Sequence, residues 1–165
     1  MTNNLKNHEI QLYNNILLLT RNKLLYTKFN LSDTFQNRIN LIFIHISFLF
    51  IKLKQTKNQK EYKEFQQRMF DLIFKKKEEN MREIGYGDVS VNKKMKDFVN
   101  LFYHLVEEIE KIDLDENKNQ INFLKKYLNT DKNLDFYADY FNKYRLFLTK
   151  NTLNHFTKDI INLNF

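Results

Sequence analysis

"TFQNRINLIFIHISFLFIKLK", Thr34 to Lys54, decides the fold. From Leu41 to Ile51 only His45 and Ser47 interrupt the apolar side chains. The run is too short to cross a bilayer, which takes about 20 apolar residues. A helix that is apolar almost all round belongs in the middle of a bundle. In front of it, "LSDT" at Leu31–Thr34 reads as a break, and Asp33 followed by Gln36 resembles a capping box. Behind it, "KQTKNQK" at Lys54–Lys60 is polar, lacks periodicity and reads as a loop.

The 3.6-residue period continues on both sides. Ile10, Tyr13, Leu17 and Leu24 mark a first helix face. Tyr62, Phe65, Met69, Leu72, Ile73 and Ile84 mark a third helix. Val91, Met95, Phe98, Phe102, Leu105, Ile109 and Ile112 mark a fourth. "DLDENKN" at Asp113–Asn119 reads as a loop. Three shorter patterns close the chain: Ile121/Leu124/Leu128, then Leu134/Tyr137/Phe141/Tyr144/Leu148, then Leu153/Phe156/Ile160. No strand alternation competes. The expected fold is all-α, a single domain over residues 1–165 made of about six or seven helices.

Composition narrows the function. The chain has no Cys, so disulfides, thiolate metal sites and a Cys nucleophile are excluded. Sixteen Phe and nine Tyr supply a large apolar core in 165 residues. The N-terminal residues carry neither a secretory pattern nor an Arg-rich transit pattern, which points to a soluble cytoplasmic protein. Net charge is +7 with a pI near 9.4, which favours contact with phosphates of nucleic acid or lipid. Abundant Lys, Asn, Ile and Phe beside a single Ala (Ala138) also fit the bias of an AT-rich genome. The charge is uneven. Arg21–Lys94 holds sixteen Lys/Arg against eight Asp/Glu, whereas Asp97–Glu116 holds seven acids and one base. The chain thus has a basic middle and an acidic shoulder, read either as solvated helix faces or as two docking surfaces.

Gly85 and Gly87 are the only glycines, and there is no proline. Gly85 follows a helical pattern that ends at Ile84, where a left-handed residue is expected. Tyr86 would then be the next residue of a Schellman turn, above Met81. Ser90 is the expected N-cap of the following helix, with Asp88 as competitor. Gly87 implies a second unusual backbone position, forming either a rigid corner or a backbone that a partner approaches. The segment is no nucleotide loop: Ser90 stands where a third glycine is needed, and a helix precedes it. The calcium-loop-like stretch from Asp113 has Lys118 in place of the turn glycine. His45 reads as a core histidine, with a haem or metal ligand as the alternative. Nothing in the sequence marks an enzyme, and no cofactor is expected.

"MFDLIFKKKEENMREIGYGDVSVNKKMKDFVNLFY", Met69–Tyr103, resembles the signature of the ubiquinol–cytochrome c chaperone family. Arg82, Glu83, Gly85, Gly87, Asp88, Val91 and Lys93 match in register. Tyr86 stands where the family carries a small aliphatic residue. A second block, Leu24–Leu53, resembles the family at Tyr26, Thr27, Asp33, Thr34, Arg38 and His45. Ser32 there replaces a common proline. The two blocks cover residues 24–103, and the helices over residues 120–165 are left unassigned.

The resemblance implies an assembly chaperone for the cytochrome bc1 complex, respiratory complex III, whose client is newly made cytochrome b. It implies peripheral contact with the inner membrane from the cytoplasmic side. It also implies the company of a small partner protein and the ribosome, and no DNA. Arg82, Glu83, Gly85, Gly87, Asp88, Lys93 and Lys94 are the candidate contact residues for client or partner. Tyr26, Asp33, Arg38 and His45 are secondary candidates. The competing functions are a basic RNA- or ribosome-binding module without a client and a haem-binding protein built on His45.

Overall fold

The helix expected at the centre is there. In a computed structural model that describes residues 2–28, 30–55 and 57–159, α3 (Phe35–Lys54) packs against α1 (Thr2–Thr20), α4 (Gln59–Ile84), α5 (Asp88–Lys111), α6 (Asn117–Leu128) and α7 (Leu134–Lys150). All ten residues from Leu41 to Phe50 are buried. The short α2 (Lys23–Thr27) links α1 to α3, and α8 (Leu153–Asp159) returns to α1. Among the described residues seven helices thus form the bundle, with the five-residue α2 as a connector. No strand occurs among the described residues. Ile160, expected on the last helix face, lies outside them, as does the side chain of Leu153.

The apolar circumference of α3 has a direct use: neighbours cover opposite sides. Phe43 and Phe50 lie seven residues apart, two helical turns, and so share a side. That side meets Phe102 of α5, with ring centroids 5.4 and 5.6 Å away. Phe74 of α4 joins at 5.6 Å from Phe43. His45 and Phe48, three apart, face α7, where Phe141 lies 5.1 and 5.7 Å away. Each fully buried large side chain contributes about 1.5–3 kcal/mol of transfer free energy.

The N-terminus of α3 departs from the expected capping box. Thr34 is the N-cap, its hydroxyl accepting from the Asn37 amide at 3.1 Å. Asp33 is unavailable because Arg38 holds its carboxylate with two bonds, at 2.6 and 2.8 Å. That bidentate pairing keeps the Asp33 carboxyl below its ordinary range.

Three apolar residues assigned to core faces are exposed instead: Ile10, Leu24 and Ile84. Leu12, Tyr13, Ile16 and Leu19 carry the buried face of α1. The helix stops at Thr20, and the turn at Arg21 and Asn22 re-aims the chain, so Leu25 rather than Leu24 points inward. One long-range bond and one local bond hold that turn. The Tyr137 hydroxyl donates to the Leu25 carbonyl at 2.7 Å, and the Tyr26 hydroxyl to the Thr20 carbonyl at 2.8 Å.

The acidic shoulder is not a single acidic face. Glu110 pairs with Lys54, Glu108 with Lys126, Asp115 with Arg145 and Glu107 with Lys111, at 2.5–3.0 Å. The first three pairs stitch α5 and its following loop to α3, α6 and α7, and the fourth lies within α5. Each contributes little alone, on the order of 0–1 kcal/mol, but together they neutralise much of the segment.

Candidate functional site

The α4–α5 corner is built by one backbone device. Gly85 has φ 101° and ψ 15°, the left-handed conformation that lacks a Cβ penalty only for glycine. Its amide donates to the Arg82 carbonyl at 3.0 Å, and the Tyr86 amide donates to the Met81 carbonyl at 3.1 Å. This is the Schellman turn expected from the sequence. Elsewhere asparagines, at Asn30, Asn129 and Asn133, take the left-handed positions, which is how a chain with two glycines manages its turns.

The start of α5 corrects two expectations. Gly87, at φ −71° and ψ 159°, occupies the N-cap position, and its carbonyl accepts from the Val91 amide. Asp88 is therefore the first helical residue and Ser90 the third, so neither side chain caps. Nor is Gly87 an unusual backbone position: any residue adopts its angles, and a Cβ there would meet nothing within 4 Å. Asp88 sits at the positive end of the α5 dipole and forms an ion pair with Arg82, which Glu78 also holds at 2.9 Å. The Lys94 ammonium lies 5.4 Å from the centre of the Tyr86 ring.

Apolar side chains crown this corner. Ile84 is 64%, Tyr86 36% and Val89 85% exposed. Phe35, at the start of α3 and 37% exposed, has its ring 6.3 Å from Phe98 of α5. Arg82, Glu83, Lys93 and Asp88 surround these residues as exposed charges. The corner is thus a partly apolar surface with a rim of mixed charge.

The second set of expected residues lies partly beside the corner and partly elsewhere. Arg38 and Glu83 line one cleft of about 180 Å³ between α1, α3 and α4, with Ile84 at its edge. Asp33 joins them through Arg38, whose guanidinium also sits 5.9 Å from the Tyr26 ring centre. His45 does not join them. It is fully buried between α3 and α7. Its Nδ1–H donates to the Leu41 carbonyl at 2.6 Å, which leaves Nε2 to accept from the Tyr140 hydroxyl. Burial pushes its pKa down to about 4, against a smaller upward effect of the Leu41 bond.

Two residues of the cleft went unread in the sequence, Arg21 and Lys77. The sequence signal for Lys77 was its spacing. Ile73, Lys77 and Met81 recur every four residues and are all buried, so a lysine occupies the inward face of α4. Burial, and then the nearby Arg21 charge, lower its pKa to about 8.

The two glycines make a direct test of the corner. Gly85→Val costs about 1–3 kcal/mol, because a β-branched residue is strained at positive φ. Gly87→Ala leaves stability within about 0.5 kcal/mol. Thermal melts of both variants check this, and equal melting temperatures would contradict the assigned geometry.

The comparisons with known proteins agree with this architecture. The ubiquinol-cytochrome C chaperone family matches residues 27–123, from the end of α2 into α6. The fold is similar to the crystal structure of the Cbp3 homolog from Brucella abortus, with a TM-score of 0.76 and 21% identity over 91% of this chain and 84% of that one. No curated protein matches the sequence significantly. The family match covers more than half of the 165 residues and includes both the α4–α5 corner and the start of α3. The chain belongs to the ubiquinol-cytochrome C chaperone family.

Proposed function

We propose that the protein is an assembly chaperone for the cytochrome bc1 complex and that the α4–α5 corner is where it holds newly made cytochrome b. Family membership supports the role. The observation that carries the site is the exposed Ile84, Tyr86 and Val89 on a corner fixed by the Gly85 turn. A client that is hydrophobic and not yet assembled needs an apolar surface to cover it, and contiguous exposed apolar side chains mark such surfaces. Arg82, Lys93 and Lys94 would steer the acidic ends of client segments and anionic headgroups at the inner membrane. No helix among the described residues is long and apolar enough to cross a membrane, so the membrane contact is peripheral in this reading. Binding and release of a client need no covalent step, and the protein acts without catalysis. A small partner protein and the ribosome would deliver the client.

The double variant Ile84→Asp, Val89→Asp tests the site. Both side chains are exposed, so the melting temperature stays within a few degrees, since surface changes are usually within about 0.5 kcal/mol. Client capture falls at least about tenfold, the loss expected from removing apolar anchors at an interface centre. In the native host the bc1 complex is lost while other respiratory complexes persist. Normal bc1 levels with both aspartates in place would move the client elsewhere.

A further inference from the structure

Lys77 is a buried charged side chain without a counter-ion among the described residues. It is 5% exposed, and no carboxylate lies within ion-pair distance among the described residues. Its ammonium faces the Tyr13 ring at 5.9 Å, a weak substitute for a charge partner. Arg21 opens onto the same cleft and has no ion pair among the described residues either. Two like charges side by side, one of them buried, are an unfavourable arrangement unless something negative joins them. Glu83 lines the cleft but forms no ion pair with either cation. Arg38, the third cation there, is held by Asp33.

The shape of the site adds a second constraint. Beside the cations and the polar Thr20, Asn80 and Glu83, its lining includes the apolar Leu17, Ile39 and Ile42. Two exposed apolar side chains, Phe35 and Ile84, also line it. A phosphate group on its own would fill the charged end and leave this apolar rim in water. A phosphate attached to acyl chains satisfies both.

We propose that the cleft between α1, α3 and α4 binds a phosphate oxyanion, with Arg21 and Lys77 as its ligands and a phospholipid headgroup as its source. Arg21 supplies planar paired donors and Lys77 a point charge. The exposed apolar side chains at the mouth then enter the acyl boundary of the bilayer. The site gives the peripheral membrane contact a defined address, and its test uses the purified protein with no client present.

The experiment is vesicle co-sedimentation of the full chain with phosphatidylcholine vesicles, with and without phosphatidylglycerol. The wild type binds the anionic vesicles. Lys77→Met weakens that binding about tenfold, the effect of losing one charge-assisted contact. Its melting temperature is unchanged or raised, since a buried unpaired charge has been removed. Lys75→Gln removes the same charge from an exposed position of α4 and has a much smaller effect. An equal loss in both variants would overturn the proposal, because non-specific attraction to the surface would explain everything. A parallel titration with inorganic phosphate separates the sources. Phosphate binding that depends on Lys77 while anionic vesicles fail to bind would overturn the lipid assignment.

Discussion

Phe102→Ala lowers the unfolding free energy by about 3–5 kcal/mol. The ring is 1% exposed and sits where three helices meet. Phe43 and Phe50 of α3 approach it at 5.4 and 5.6 Å, and Phe70 and Phe74 of α4 at 5.9 and 6.0 Å. Truncation removes the transfer free energy of a phenyl group. It also leaves a cavity that four other rings cannot collapse into without leaving their rotamers. A domain of this size is stable by only about 5–15 kcal/mol, so the loss is a large share of the total. Tyr103, the next residue, is 59% exposed, and Tyr103→Ala should cost far less. Urea unfolding of the two variants makes the comparison. A loss below about 1 kcal/mol at Phe102 would mean that the ring cluster is not the core.

Acid weakens the fold through His45. Its pKa in the folded protein is about 4, below the ordinary 6.5, because burial penalises the imidazolium. The unfolded chain therefore binds the proton first as pH falls. Above pH 6.5 neither state is protonated at this residue, and stability does not depend on it. Between pH 6.5 and about 4 the unfolded state gains the proton alone, and stability falls by about 1.4 kcal/mol per pH unit, roughly 3 kcal/mol in all. His45→Gln is less stable at pH 7, since the Tyr140 and Leu41 partners lose their geometry. Its stability then changes less than that of the wild type down to pH 5. Parallel slopes for the two proteins over that window would show that His45 is not neutral and buried. The same geometry answers the haem alternative: both ring nitrogens are engaged within the core.

The parts of this protein that sequence made legible share a local cause. The α3 core needed only the run from Leu41 to Ile51, apolar but for His45 and Ser47. The Gly85 turn needed only a glycine after a periodic segment, because the left-handed conformation is a property of that one residue. What stayed illegible depends on distant residues. Leu25 of α2 is held by Tyr137, far along the chain. The Thr34 cap displaced Asp33 because Arg38 took the carboxylate first. Gly87 looked unusual from its neighbour, yet its backbone angles are ordinary. The cleft is the clearest case. Arg21, Arg38 and Lys77 come from the turn after α1, from α3 and from α4, and periodicity within one helix cannot show that they converge. Only the inward position of Lys77 between Ile73 and Met81 left a trace in the sequence.

The central claim is that the α4–α5 corner holds cytochrome b. The most direct test places a photo-crosslinking amino acid at position 89 in the native host. The same residue placed at position 143, an exposed site on α7, serves as the control. Val89 is 85% exposed, so either substitution leaves the fold intact. The account predicts that position 89 captures newly made cytochrome b and that position 143 does not. Ribosomal proteins alone at position 89, or cytochrome b at 143 and not at 89, would contradict it.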